Sequence, residues 1–487
     1  MTKQKAAAAG LWSALDIVLR QGVQFVVTIV LARLLAPEDF GIIALLSFFT
    51  ALSIAFAQSG LTAGLVQKQD TSRDEESAVF WWNLAVAILF SAALVAAGPA
   101  IAAFYGHPIL APLMWVAAAQ IVFAALGAVQ GALLTRNLQF DQLTKIGIAS
   151  SVLSGTAGIA IALAGGGIWA LGAQMAFAAA INSAGVWMVS SWRPTLHRRF
   201  GTIRSLFSFG SWVSVGMLLE VLYTQGSSLL IGKLYGVRDL GFYNRAMSTQ
   251  LLPSNILAQI VARIALPLFA ARAAETDALQ RGLKMAIGLA MMINMPAMVA
   301  LALLSPEVLV VLFGSKWLPA APILSILAIG GILFPLHAIN LQMVLAQGQT
   351  RIFLRNEIAK KVIGVTCMLV GSLFGIVGLA WSQVAYSLLG AIVNSAPTHA
   401  SLGYGLVRQM RDLSGIFAAT LVMAAGIVLL KTGLDLDPLA TLVVCTAAGG
   451  PIYLLTGFLL RSSSFMDALS LLPVGRFRRA PAEGEGT

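Results

Sequence analysis

The stretch LARLLAPEDFGIIAL, residues 31–45, sets a basic residue, a proline, two acids and a glycine into a narrow break between two apolar runs. IGKLYGVRDLGFYNR, residues 231–245, repeats the phrase: Lys233 stands 200 positions after Arg33, Asp239 after Asp39 and Gly241 after Gly41. Each break is flanked by runs of about 20 residues, the length that crosses a ~30 Å hydrocarbon core. The break at 33–41 reads as a turn between two membrane helices. Pro37 stops the first, Glu38 and Asp39 suit the start of the second, and Gly41 permits a tight junction. A plain connector accounts for most of this pattern; the second copy keeps the Asp and Gly but has Val237 for the proline.

Composition extends the membrane reading to the whole chain. Of 487 residues, 58% are hydrophobic and 10% charged, with a mean hydropathy of +0.86; a soluble chain would be about a quarter charged. The spans are expected to be helices, since a barrel would show alternating segments of about ten residues. The expected fold is all-α and polytopic, with about fourteen transmembrane helices at 11–34, 41–61, 79–103, 110–134, 146–164, 168–191, 206–232, 242–269, 283–305, 318–345, 358–374, 376–395, 412–431 and 438–460. The net charge of +11 does not point to nucleic acid, because of where it falls. Arg33, Lys233, Arg238, Lys316 and Lys431 lie on one side; Arg20, Arg245 and Arg263 lie inside spans; the rest of the 31 Lys and Arg lie on the side that holds both termini. Positive loops stay inside, so both termini are expected in the cytoplasm. WRPTLHRRFGTIR, 192–204, is the strongest anchor, and attraction to anionic membrane lipid is a sufficient use for it. The basic start MTKQKAAAAG precedes a long, polar-spotted run, which is read as an uncleaved first helix. Cys367 and Cys445 lie in spans and suggest neither a disulfide framework nor a metal site.

The repeat runs beyond the opening phrase. Gly10 matches Gly210 and Trp12 matches Trp212; at an offset of 208, GIWAL (167–171) matches GIVGL (375–379) and Gly106 matches Gly314. Two six-helix lobes, 1–200 and 201–400, followed by two further helices in 401–460 and a cytoplasmic tail at 461–487, are the expected organisation. An even number of spans per copy gives both copies one orientation and a pseudo-two-fold along the membrane normal, with a substrate path at their interface.

Polar stripes mark the candidate path. Trp12, Asp16, Arg20, Gln24 and Thr28 recur every four residues in the first span, and Trp212, Gly216, Glu220, Thr224 and Ser228 take the matching places in the seventh. That spacing keeps each set near one helix face. The eighth span adds Asn255, Gln259 and Arg263, with Arg245 near its outer end. An ionised group at membrane depth costs several kcal/mol unless paired or wetted. Asp16 and Arg20 can pair at i,i+4, so a structural ion pair is one reading of those two. The set as a whole reads as a hydrated, cation-bearing cavity, with Arg20, Arg263 and Arg245 suited to phosphate through their planar donor forks. Asp16, Gln24, Glu220, Thr224, Asn255 and Gln259 are its polar or ion-coupling groups. For scattered amides such as Gln120, Gln130, Gln174, Asn182, Asn294 and Asn340, hydrogen bonding between helices is the favoured role, and His337 reads as a satisfied core histidine.

Enzyme chemistry finds little footing. GSSLLIGKL (226–234) departs from the phosphate-loop spacing and lacks its Ser or Thr. No G-x-S-x-G elbow occurs, and DLD (435–437) reads as a turn before Pro438. No cofactor is expected. Transport would draw on a gradient of H⁺, Na⁺ or substrate, or on the membrane potential.

Several stretches carry a family resemblance: R-x-L-x-P-x-D-F-G at 33–41, SGLTAGLVQKQDTSRDEESAVFWWNL at 59–84, RIALPLFAARAAETDALQRGL at 263–283, VLFGSKWLPAAPILSIL at 311–327 and AQGQTRIFLRNE at 346–357. Together they resemble Wzx-type polysaccharide flippases of the multidrug/oligosaccharidyl-lipid/polysaccharide exporter superfamily. The resemblance implies two six-helix lobes, alternating access, and passage of undecaprenyl-diphosphate-linked oligosaccharide to the periplasmic face for lipopolysaccharide or exopolysaccharide synthesis. It also implies cationic residues for the diphosphate, a lipid groove near the last two helices, and a polysaccharide polymerase with its chain-length machinery as receivers of the product. An ion-coupled drug or cation antiporter of the same superfamily is the alternative, kept open by Glu220 and Asp16.

Overall fold

The computed structural model describes residues 21–58, 60–68, 70–195, 204–271, 275–460 and Phe465, with side chains throughout except at 58, 204–215 and 255–271. Among these residues every regular element is a helix. The chain divides into two units, Met1–Asn244 and Arg245–Thr487.

The first unit begins with α1 (Gln21–Leu34). It continues with α2 (Pro37–Gln58), the short α3 (Leu61–Gln67), α4 (Arg73–Tyr105), α5 (Leu110–Arg136), α6 (Phe140–Leu163), α7 (Trp169–Val189) and α8 (Arg204–Leu234). α9 (Val237–Ala271) runs through the division. The second unit holds α10 (Thr276–Leu303), α11 (Ser305–Phe313), a 3₁₀ turn (Ser315–Ala320), α12 (Ala321–Gly331), α13 (Phe334–Ala346), α14 (Thr350–Ser372), α15 (Gly375–Leu402), the short α16 (Leu406–Asp412), α17 (Ser414–Gly433) and α18 (Pro438–Leu459). Among the described residues nine helical runs are long and apolar enough to cross a membrane: α2, α4, α5, α6, α10, Ser315–Ala346, α15, α17 and α18. Large apolar side chains stand outward on these helices, among them Trp115 and Leu163 in the first unit and Leu388 and Leu429 in the second. That suits a lipid solvent, where exposed hydrocarbon carries no penalty.

The turn at the opening stretch is tighter than its sequence suggests. α1 ends at Leu34 and α2 starts at Pro37, so only Leu35 and Ala36 lie between. Pro37 therefore opens the second helix rather than stopping the first, at the position where a missing N–H costs nothing. Glu38 and Asp39 do occupy the first turn, and Asp39 Oδ2 accepts the Ala36 N–H at 3.0 Å. Gly41 is not a turn residue. It lies inside α2, where a Cβ would overlap the Val237 carbonyl oxygen, while a Cβ on its repeat mate Gly241 would overlap that of Pro37. The two copies of the phrase thus cross backbone to backbone, and glycine is kept in both because nothing larger fits. An exposed ion pair, Arg238–Glu38 at 3.1 Å, borders the crossing.

Local chemistry fixes several ends. Ser72 and Glu75 form a reciprocal capping box at the start of α4. Asp437 caps α18 through the N–H groups of Leu439 and Ala440, so the DLD stretch is a helix start. Gly106 and Gly314 both end helices at positive φ, 73° and 96°.

The expected continuous span 318–345 is broken. α12 stops at Gly331 and α13 restarts at Phe334, with Pro335 in its first turn. The proline withholds a donor, and the freed carbonyls need a substitute inside a membrane. Asn294 of α10 supplies it, its Nδ2 donating to the Gly331 and Ile332 carbonyls at 3.0 Å each.

Candidate functional site

In the first unit α1, α5, α6 and α7 enclose a cavity of about 830 Å³. α1 contributes Gln21 and Gln24, α5 contributes Gln120, α6 contributes Ser150, Ser151 and Ser154, and α7 contributes Gln174, Asn182 and Ser183; among the described residues the lining includes no charged group. Small residues hold the wall back. Gly131 of α5 lines the space, and a Cβ placed there would meet nothing within 4 Å. Ser150 is anchored, its hydroxyl donating to the Ala178 carbonyl at 2.7 Å. The Gln120 Oε1 is buried without a hydrogen-bond partner. A buried acceptor left unmet is costly, and the cavity is the space from which a donor could reach it. Amides and hydroxyls both donate and accept. Such a lining suits the hydroxyls of a sugar.

Of the residues singled out in sequence, Gln24 lies on this cavity. Asp16 and Arg20 lie outside the described residues. Asn255, Gln259 and Arg263 lie on α9, where the side chains are likewise outside them. Glu220 and Thr224 are exposed on α8, with the Thr224 hydroxyl bonded back to the Glu220 carbonyl at 2.8 Å. Arg245 is 7% exposed, its guanidinium carbon 5.1 Å from the ring centre of Phe313 and 5.3 Å from that of Trp317. Those rings flank the Gly314 turn of the VLFGSKW stretch, so that motif builds an aromatic clasp for a cation.

The scattered amides divide into two groups. Asn294 and Asn340 bond between helices as expected; Asn340 joins Gln409 at 3.1 Å and Thr398 at 2.9 Å. Gln130 does the same when its amide is oriented to accept from Trp187 Nε1 and donate to the Leu126 carbonyl. His337 is satisfied by Ser387 and Asn394 at 3.4 and 3.2 Å. Gln120, Gln174 and Asn182 instead converge on the cavity. The cue in sequence was the serine-rich GIASSVLSG of α6, which adds hydroxyls to the same wall.

One cluster escaped the sequence reading. Glu76, 6% exposed near the start of α4, accepts from Arg136 of α5 at 2.9 Å and from Thr71 at 2.7 Å, and Arg136 also reaches Thr71. It ties the ends of α4 and α5 through a buried ion pair.

Comparison with known proteins agrees with this architecture. Residues 30–322, more than half the chain, match the family model described as polysaccharide biosynthesis protein. The succinoglycan biosynthesis transport protein ExoT of Rhizobium meliloti is 25% identical over 485 residues, covering 97% of this chain and 96% of that one. The lipopolysaccharide biosynthesis protein WzxC of Escherichia coli is 24% identical over 399 residues, 80% of each chain. The lipid II flippase MurJ, in an inward closed conformation, superposes with a TM-score of 0.73 over 97% of this chain and 100% of that one at 14% identity, a likeness of fold. A multi-pass helical chain with this match over most of its membrane core belongs to the polysaccharide biosynthesis protein family.

Proposed function

We propose that the chain is a flippase. It moves undecaprenyl-diphosphate-linked oligosaccharide from the cytoplasmic to the periplasmic leaflet of a bacterial inner membrane, by alternating access, for lipopolysaccharide or exopolysaccharide synthesis. The observation that carries this reading is the cavity in the first unit lined by amides and hydroxyls. The similarity to a succinoglycan biosynthesis transport protein, ExoT, and to a lipopolysaccharide biosynthesis protein, WzxC, supports it.

Fourteen crossings follow if α1, α7, α8, α9 and α14 join the nine apolar runs, since each stands where the sequence expects a span. The loop charges put both termini in the cytoplasm. Residues 1–200 and 201–400 form the two lobes. Arg20 and Arg263 hold the diphosphate, Glu220 serves a coupling ion, and a polysaccharide polymerase with its chain-length machinery receives the product.

Complementation of a flippase-null strain tests the cationic part. Arg20→Ala and Arg263→Ala are expected to insert normally and to abolish export. Full export by both variants would remove the two arginines from the substrate path.

A further inference from the structure

A second concave site lies in the unit Arg245–Thr487, remote in sequence from the polar cavity. Its volume is about 350 Å³, and Arg281, Lys284, Tyr404, Arg408, Arg411 and Asp412 line it. Two elements present the cations. Arg281 and Lys284 are three residues apart in the opening turns of α10; Arg408 and Arg411 are three apart on α16. That spacing turns each pair toward one side of its helix.

Among the described residues, the single acid in the lining is already engaged. Asp412 accepts the Tyr404 hydroxyl at 3.0 Å and pairs with Lys284 at 3.3 Å. Burial and the adjacent Asp412 raise the Tyr404 pKa, so its hydroxyl stays protonated and holds the carboxylate in place. Arg408 is oriented by a 2.8 Å bond from Nη1 to the Gly403 carbonyl. Arg281 and Arg411 stand exposed, with no ion pair among the described residues. Three guanidinium groups therefore share a concave site whose carboxylate is neutralised from within. Ordinary positive-inside charge explains cations on this face. It does not explain why they converge on a pocket whose floor is built from a Tyr–Asp–Lys network.

We propose that this pocket binds a phosphate group, either the phosphate of an anionic lipid headgroup or a free diphosphate. Planar guanidinium forks meet phosphate oxygens in pairs, and a basic recess between helix ends at the membrane surface is where a headgroup would sit. The inference does not depend on the flippase reading.

The test uses the full chain in two arms. In one, protein in phosphatidylcholine nanodiscs with and without phosphatidylglycerol is examined by native mass spectrometry for retained lipid. In the other, inorganic diphosphate is titrated calorimetrically into detergent-solubilised protein. Arg281→Gln/Arg411→Gln is compared with Arg351→Gln/Lys145→Gln, which removes the same charge elsewhere, and with Arg281→Lys/Arg411→Lys, which keeps charge without the fork. Binding in either arm, weakened at least about tenfold by the Gln pair, partly by the Lys pair and not by the control, supports the site. Phosphatidylglycerol retention names the headgroup as the source; diphosphate binding alone names the free anion. No binding in either arm by the wild type, or equal losses in the site and control variants, would overturn the proposal.

Discussion

Single residues in the polar cavity separate transport from folding. Gly131 lines the space, and nothing lies within 4 Å of where its Cβ would be. The Gly131→Leu side chain therefore has room at its Cβ and extends into the space the cavity lining surrounds. Replacing a helical glycine also adds about 0.5–1 kcal/mol of helix stability. The expected outcome is normal membrane insertion, an unchanged or higher melting temperature, and export reduced by about tenfold or more, the ~1.4 kcal/mol that a few blocked sugar hydrogen bonds represent. Export assayed in a complemented flippase-null strain, beside a melting curve, checks it; wild-type export would take the cavity off the path. This residue was not legible in sequence. A polar residue on a membrane helix has the same period whether it faces a neighbouring helix or a cavity, so Gln130 and Gln120 look alike until their surroundings are known. Gln130, with its amide turned, can bond to Trp187 and Leu126, while Gln120 keeps a buried oxygen without a partner among the described residues.

Between elements, the repeated phrase does more than turn the chain. Gly41 of α2 and Gly241 of α9 bring their helices into backbone contact. Either glycine changed to Ala forces the crossing apart, at a cost of about 1–3 kcal/mol or more in a site that cannot repack. A fall in melting temperature is expected for each variant, and Gly22→Ala, where the added Cβ would meet nothing within 4 Å, serves as the control. Melting of both variants at the wild-type temperature would contradict the close approach. The buried Glu76–Arg136 pair is a second tie between helix ends. Arg136→Ala leaves Glu76 charged and buried, which costs on the order of 3–5 kcal/mol; greatly lowered levels of folded protein are expected on detergent extraction, and wild-type yield with wild-type melting would refute it. The matched glycines were visible in sequence because identity at a fixed offset survives when most side chains drift. Their purpose was not, because a turn and a helix crossing both ask for glycine. The break in α12–α13 was hidden for a related reason: its uninterrupted hydropathy concealed Pro335, and Asn294, which satisfies the freed carbonyls, lies on another helix.

For the whole molecule, hydropathy carried the reading furthest. The all-α polytopic fold follows from long apolar runs, with which the MurJ-like architecture agrees, and the polysaccharide biosynthesis family from stretches such as VLFGSKW. Substrate chemistry was less legible, because it depends on which polar groups converge, and sequence spacing fixes faces of single helices only. Arg245 shows the difference: it reads as a cavity cation and lies buried against Phe313 and Trp317. The central claim is that the chain carries a lipid-linked sugar and not a cation. Its most direct test is transport by the purified protein in proteoliposomes, offered a fluorescent undecaprenyl-diphosphate oligosaccharide in one assay and a cationic dye in the other. The account predicts protein-dependent flipping of the oligosaccharide lipid with no dye exchange; dye exchange driven by an ion gradient, with the lipid left in its original leaflet, would contradict it.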